Sequence, residues 1–247
     1  MKLENKRYLV TGAGSGLGKA LVRRLKWVRG TKIVAVTSGI DVSKPENIEC
    51  MLDFAIKRTG GLDCVIACAG FGYYESFGDK GYEHIRRIFE TNVLSPIYTL
   101  ERFLAKTEGN VAFVMVSSML GKFGLAGMTL YSATKHALAG FADAYKLEKP
   151  KRLHYMTAYP ITIKTNFWNK LPKDIPIPKP MQTADTAAKA ILRGLRKNKK
   201  SIYTAPFSKV FTDLTLPYQL IGSLKFQKWL VGASIARPTY ADDTIRH

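Results

Sequence analysis

The chain has 247 residues, 46% of them hydrophobic, and sets 38 lysines and arginines against 19 aspartates and glutamates. That length and apolar share fit one large α/β domain over 1–247, and apolar stretches such as Val111 to Val116 are far too short to cross a bilayer. The net charge of +19 favours anionic cofactors and substrates, but the basic residues lack the aromatic–basic motif of an RNA-binding sheet, which argues against a specific nucleic-acid role.

Met1 to Arg7 runs straight into the first strand with no apolar signal region, so the expected location is cytoplasmic. Tyr8 to Val10 reads as a short buried strand that enters Thr11-Gly12-Ala13-Gly14-Ser15-Gly16-Leu17-Gly18. Ala20, Leu21, Val22 and Leu25 then recur at helical spacing, predicting a helix from Lys19 to Trp27. Strand, glycine turn and helix together bring backbone N–H groups and a helix N-terminus against a pyrophosphate. Gly12 permits the turn, Gly16 admits the phosphate and Gly18 lets the helix pack close, with Ser15 and Leu17 in the same cradle.

A second strand, Lys32 to Val36, ends on Thr37-Ser38-Gly39. Sites that prefer NAD usually place a carboxylate here for the ribose hydroxyls. The hydroxyls of Thr37 and Ser38, with no acid to repel a 2′-phosphate, favour NADP(H), with Lys19 as a candidate base and NAD(H) as the alternative. A helix is predicted from Pro45 to Arg58, and Asp41 is placed to cap it.

Cys64 to Ala67 is the third predicted strand. Cys50, Cys64 and Cys68 are odd in number and not spaced as metal ligands, so the expectation is reduced thiols and no metal. A long helix is predicted from Tyr82 to Thr107 and contains Asn92; Val111 to Val116 forms a strand that delivers Ser117 and Ser118. The next helix, Tyr131 to Glu148, opens with Tyr131-Ser132-Ala133-Thr134-Lys135. A tyrosine and a lysine four residues apart share one helix face. Free tyrosine has a pKa of about 10, and a fixed cation favours the phenolate and pulls that value down. Ser118, thirteen residues upstream of Tyr131, can share the proton or hold a carbonyl oxygen. Together they make a proton-transfer device that needs a hydride donor. Strands from His154 to Ala158 and Ile202 to Thr204, and a helix from Ala184 to Lys197 capped by Thr183, complete a sheet whose apolar runs suit cover on both faces. His84, His136, His154 and His247 are scattered and read as structural or exposed.

The glycine turn and the Ser118–Tyr131–Lys135 set resemble the short-chain dehydrogenase/reductase family, from about Lys6 to Pro206. Further matches follow in order. Asp41-Val42 resembles the acidic pair beside the adenine ring, Asp63 to Gly70 the strand ending in Asn-Asn-Ala-Gly, and Asn92 the helix asparagine. Tyr159 to Thr165 resembles the Pro-Gly turn and nicotinamide-binding threonine. The resemblance implies a Rossmann-type doubly wound parallel sheet and an NADP(H)- or NAD(H)-dependent oxidoreductase acting on a carbonyl or alcohol. It implies Asn92, Ser118, Tyr131 and Lys135 as catalytic residues, with Asn92 tying Lys135 through water to a proton path. Lys135 would also bond the nicotinamide ribose. The cofactor set then extends to Cys68, Ala69, Gly70, Pro160, Ile163 and Thr165, and the assembly to a homodimer or homotetramer.

Several positions depart from the family pattern. Ala67-Cys68-Ala69-Gly70 replaces Asn-Asn-Ala-Gly, and Ile161 replaces the glycine after Pro160. The segment from Val36 to Asp41 is too short for the family's second helix, predicting a more open adenosine edge. Residues 166–182 are expected to be a substrate lid, with Phe123, Leu125 and Met128 opposite it, suiting an apolar carbonyl. The extension 207–247 mixes Phe207, Phe211 and Trp229 with Lys209, Lys225 and Lys228. It reads as cleft cover or subunit interface, with peripheral membrane contact through 207–235 as the minority reading. Two other functional classes stay open: a cofactor-binding regulator without turnover, and a membrane-associated interaction protein on this fold.

Overall fold

Alternate residues of each central strand face opposite ways, and here both sets are apolar, so every strand needs cover on two sides. A computed structural model of the chain, describing residues 1–165 and 180–205, provides that cover. Its elements are β1 (Arg7–Val10), α1 (Gly16–Leu25), β2 (Lys32–Ala35), α2 (Pro45–Thr59), β3 (Cys64–Ala67) and α3 (Gly81–Phe89). A π-helical turn (Glu90–Leu94) leads into α4 (Ser95–Ala105), β4 (Val111–Val116), a 3₁₀ turn (Met119–Gly121) and α5 (Thr129–Glu148). The chain continues as β5 (Leu153–Tyr159), β6 (Ile163–Lys164), β7 (Gln182–Thr183), α6 (Ala184–Arg196) and β8 (Ser201–Tyr203).

Six strands pair in the order β2-β1-β3-β4-β5-β8, all parallel, and β6 with β7 forms a separate two-stranded ladder. Tyr8, Val10, Ile66, Val114 and Met156 face one way and pack with Leu21 and Leu25 of α1 and Ile191 and Leu195 of α6. Leu9, Val65, Phe113 and Tyr155 face the other way, against Leu52 of α2, Phe103 of α4 and Leu138 of α5. The doubly wound parallel sheet expected from the apolar runs is therefore present.

The expected boundaries move where a turn takes part in the element. α1 begins at Gly16 rather than Lys19, because the last part of the glycine turn is already helical. The helix expected from Tyr82 to Thr107 is two α-helices joined by the π-turn, with Asn92 inside it. Between β2 and α2 the chain makes a turn, Ile40 N–H donating to Thr37 O at 3.1 Å, with no helix inserted. Thr37 to Asp41 are exposed, as the open adenosine edge requires. Of the expected lid, 166–179 lies outside the described residues, as does the extension 207–247.

Phe113 is fully buried, stacked with Tyr155 and tilted against Phe103, each at 6.3 Å between ring centroids. Phe113→Ala is expected to lower unfolding stability by about 3–5 kcal/mol. Chemical denaturation would show this as a lower midpoint with an unchanged slope.

Candidate active site

In a parallel sheet the strand-to-helix connections all leave from one end, and there Gly12, Thr37, Cys68, Ser118 and Pro160 gather. The glycine turn is closely fitted. Gly12 has φ +67°, and a Cβ on it would lie 2.8 Å from Ala69 Cα. A Cβ on Gly18 would lie 2.2 Å from the Gly12 carbonyl oxygen. Gly16 brings the turn against Thr165, whose methyl would stand 3.2 Å from an added Cβ. The amides of Cys68 and Ala69 donate to Thr11 Oγ1 at 3.0 and 3.1 Å, so the buried Thr11 hydroxyl ties the end of β3 to the end of β1.

This cradle fits a dinucleotide. Ser15, the N-cap of α1, makes no side-chain cap and the first turn holds no acidic residue, which leaves the N-terminal N–H groups for an anion. Gly14, Ser15 and Lys19 are exposed beside it, and Thr37 and Ser38 lie at the end of β2. Leu17 and Val42 are buried in the two cores, so only their backbones can reach a cofactor. The Asp41 carboxylate accepts from Ser43 N–H at 3.0 Å, and its carbonyl accepts from Asn47 Nδ2 at 2.9 Å. It thus shapes the approach to α2. Ile163 packs on the α1–α6 side, and the Thr165 hydroxyl donates to its carbonyl at 3.5 Å.

Ser118, Tyr131 and Lys135 come together at the end of β4. The Ser118 hydroxyl is hydrogen-bonded to the Tyr131 phenol and also accepts from Leu120 N–H at 3.1 Å. Ser117 turns the other way, donating to Lys135 O at 3.1 Å, which separates the two serines' roles. The Lys135 ammonium is buried, donates to Val116 O at 3.2 Å and stands 5.4 Å from the Tyr131 ring centroid. Gly70 abuts it: a Cβ there would lie 3.7 Å from Lys135 Nζ and 3.0 Å from Asn92 Oδ1.

The electrostatics differ from the simple expectation of a lowered tyrosine pKa. Burial pushes the Tyr131 phenol up to about 12, with the Ser118 hydrogen bond acting in the opposite direction. Burial pulls Lys135 down to about 8, the nearby Cys68 opposing that shift. In the protein alone, desolvation therefore outweighs the attraction between phenolate and ammonium, and the phenol stays protonated. Cys68 shares the enclosure, and burial pushes its thiol up to about 12, which makes it a poor nucleophile at neutral pH.

Asn92 has partners that the resemblance did not anticipate. Its Oδ1 accepts from Phe71 N–H at 3.0 Å, and its Nδ2 donates to Phe71 O at 2.8 Å and to Thr134 Oγ1 at 3.1 Å. Both amide hydrogens are thus taken up by protein groups, and the side chain ties the Phe71 backbone to Thr134. Thr134, fully buried, donates in turn to Tyr131 O at 2.7 Å. Beyond the tyrosine, Leu125 and Met128 pack with Tyr74, Leu120 and Tyr131. Phe123 packs in a separate cluster with Met119, Ala139 and Tyr159. His84 pairs with Glu75 at 2.5 Å and stacks on Tyr73, holding the 71–75 loop on α3. Among the described residues no cluster of metal ligands is present.

Comparison with known proteins bears on the fold and the family. The family model described as short chain dehydrogenase matches residues 26–176, which include Ser118, Tyr131 and Lys135. The chain is 30% identical to an uncharacterized oxidoreductase of Myxococcus xanthus, over 75% of this chain and 83% of that one. It is 27% identical to the 3-dehydrosphinganine reductase of Danio rerio over 65% of this chain, and spans only 57% of that relative. A Burkholderia cenocepacia short chain dehydrogenase solved with NADP superposes with a TM-score of 0.76 at 22% identity, covering 90% of this chain and 97% of that one. A Burkholderia phymatum short chain dehydrogenase/reductase solved with NAD gives 0.75 at 16% identity, covering 87% and 94%. At those identities the structures speak for the fold alone.

Thr134→Val leaves one of the two Asn92 Nδ2 hydrogens without its buried acceptor. It is expected to lower stability by about 1–3 kcal/mol, read from the thermal midpoint, while Thr134→Ser stays near wild type.

Proposed function

Because the chain belongs to the short-chain dehydrogenase family, we propose that it is an NADP(H)-dependent oxidoreductase interconverting a carbonyl and an alcohol, with Tyr131 as general acid and base. The observation that carries this reading is the Ser118–Tyr131 hydrogen bond, with the buried Lys135 ammonium behind it, at the strand ends that also hold the glycine cradle. A nicotinamide cofactor, when bound, supplies or accepts the hydride. The chain's residues handle the proton.

In the reductive direction Tyr131 donates its phenolic proton to the substrate oxygen, a step that general acids accelerate typically ~10²–10⁴-fold. Its raised pKa keeps that proton in place at neutral pH. Ser118 holds the carbonyl oxygen as charge develops on it. Lys135 stabilises the phenolate left behind, and Asn92 and Thr134 hold α5 and the Phe71 backbone so that this geometry persists. NADP(H) is preferred to NAD(H) because Thr37 and Ser38, with Lys19 across the turn, present hydroxyls and a positive charge where an acid would repel a 2′-phosphate.

The substrate reading is an apolar ketone. Leu120, Leu125, Met128 and Tyr74 make the wall beside Tyr131 apolar and aromatic. The Danio rerio relative is by name a reductase of 3-dehydrosphinganine, which supports long-chain 3-ketones as the first compounds to test. A homodimer or homotetramer belongs to the same reading.

A panel of aliphatic 3-ketones with NADPH and with NADH tests this directly. The expected result is turnover with a lower KM for NADPH, and a loss of roughly 10²-fold or more in kcat for Tyr131→Phe with NADPH affinity unchanged. Tight NADPH binding without turnover of any ketone would instead make the protein a cofactor-binding regulator. A lower KM for NADH would reverse the cofactor assignment.

A further inference from the structure

We propose that the end of the sheet opposite the candidate active site is a docking face for an anionic lipid bilayer surface. The helix-to-strand connections gather at that end, since every paired strand of the main sheet is parallel. Their exposed residues are strongly basic. Lys26 and Arg29 lie between α1 and β2, Lys57 and Arg58 at the end of α2, and Lys151 between α5 and β5. Arg196, Lys197, Lys199 and Lys200 follow at the end of α6, beside the exposed Lys2. The exposed acids on these connections are Glu108 and Glu148. At the opposite end, Asp41, Glu46, Asp79, Glu83 and Asp185 are interspersed with the lysines. The ten basic residues named at this end therefore far outnumber the exposed acids among them.

Basic residues complement the C-terminal end of a helix dipole, and that accounts for a residue such as Lys57 or Arg58 in a last turn. It does not account for Arg29, Lys151, Lys199 and Lys200, which lie in the connections beyond the helices. Nor does it account for the apolar groups among them. Trp27, 88% exposed, and Leu147, 90% exposed, are the most exposed large hydrophobic residues of the described chain, and both stand at this end. Trp27 follows α1 on one face of the sheet, and Leu147 ends α5 on the other. Trp27 also lines a groove of about 440 Å³ with Lys26, Arg29 and Ile33, a cationic niche beside an indole.

Charge alone suits any polyanion. A tryptophan and a leucine projecting among lysines suit a bilayer surface in particular, where an indole settles at headgroup level and an aliphatic side chain enters the acyl boundary. A nucleic acid would leave Leu147 without a partner. Docking in this way turns the end that carries the glycine cradle and Tyr131 away from the bilayer. It requires no membrane-crossing helix, and none of the described helices is long and apolar enough to be one.

Co-sedimentation of the full chain with vesicles tests the proposal, comparing pure phosphatidylcholine with phosphatidylcholine containing about 30 mol% phosphatidylserine. Binding is expected to the anionic vesicles only, and to fall as salt rises. The triple variant Lys197→Glu, Lys199→Glu, Lys200→Glu is expected to bind about two orders of magnitude more weakly. Trp27→Ser and Leu147→Ser should each weaken binding several-fold while leaving its salt dependence in place. Unchanged circular dichroism and thermal midpoints keep these surface variants comparable with wild type. Equal binding to both vesicle types, or wild-type binding by the charge-reversed variant, would overturn the proposal. So would displacement from vesicles by duplex DNA together with no effect of Trp27→Ser and Leu147→Ser, which would identify a nucleic-acid face. None of these outcomes depends on turnover, so the oxidoreductase reading stands or falls separately.

Discussion

The site depends on keeping one lysine ammonium out of water. Lys135 is buried between the end of β4 and the first turns of α5, where Val116 O accepts from it. Such burial is unfavourable to charge, so the surrounding structure has to hold the side chain in place. The Ser117 hydroxyl does so by donating to the Lys135 carbonyl, and the lack of a side chain at Gly121 does so by allowing close approach: a Cβ there would come within 2.5 Å of that carbonyl oxygen. Gly70 closes the other side. The result is a cation and a phenol in one enclosure, each pushed by burial toward its neutral form. Tyr131 therefore holds its proton at neutral pH, as a general acid must until the substrate oxygen takes it.

The rest of the fold delivers parts to that enclosure. The parallel sheet brings five loop ends to one edge, and the Thr11 hydroxyl joins two of them through the Cys68 and Ala69 amides. Replacement of an Asn-Asn pair by Ala67 and Cys68 does not loosen this end of β3, because the tie is made by backbone amides that any residue supplies. The π-turn performs a comparable service from below, setting the Asn92 amide between the Phe71 backbone and Thr134.

Much of this was legible in the sequence, for identifiable reasons. β4 is a continuous apolar run flanked by polar residues, and its bounds are those expected. The glycine turn and the Tyr131–Lys135 spacing are local patterns whose meaning survives folding. What stayed hidden depends on distant partners. Thr11 and Thr134 are ordinary threonines until Cys68 and Asn92 are brought beside them. The π-turn adds no apolar signature to a helix that already reads as one piece, and the two-residue strands β6 and β7 are too short to show a period. The tyrosine pKa was misjudged for the same reason: spacing reveals the neighbouring cation but not the depth at which both groups lie.

The central claim is that burial, rather than ion pairing, sets the protonation of this pair in the protein alone. Nuclear magnetic resonance titration with ¹³C-labelled lysine and tyrosine side chains measures it, with Lys135→Met and Tyr131→Phe assigning the signals. The account predicts that Lys135 loses its proton near pH 8, well below the value of about 10.4 for a free lysine, while Tyr131 remains a phenol beyond about pH 10. A Tyr131 phenolate near neutral pH beside a lysine that titrates normally would contradict it.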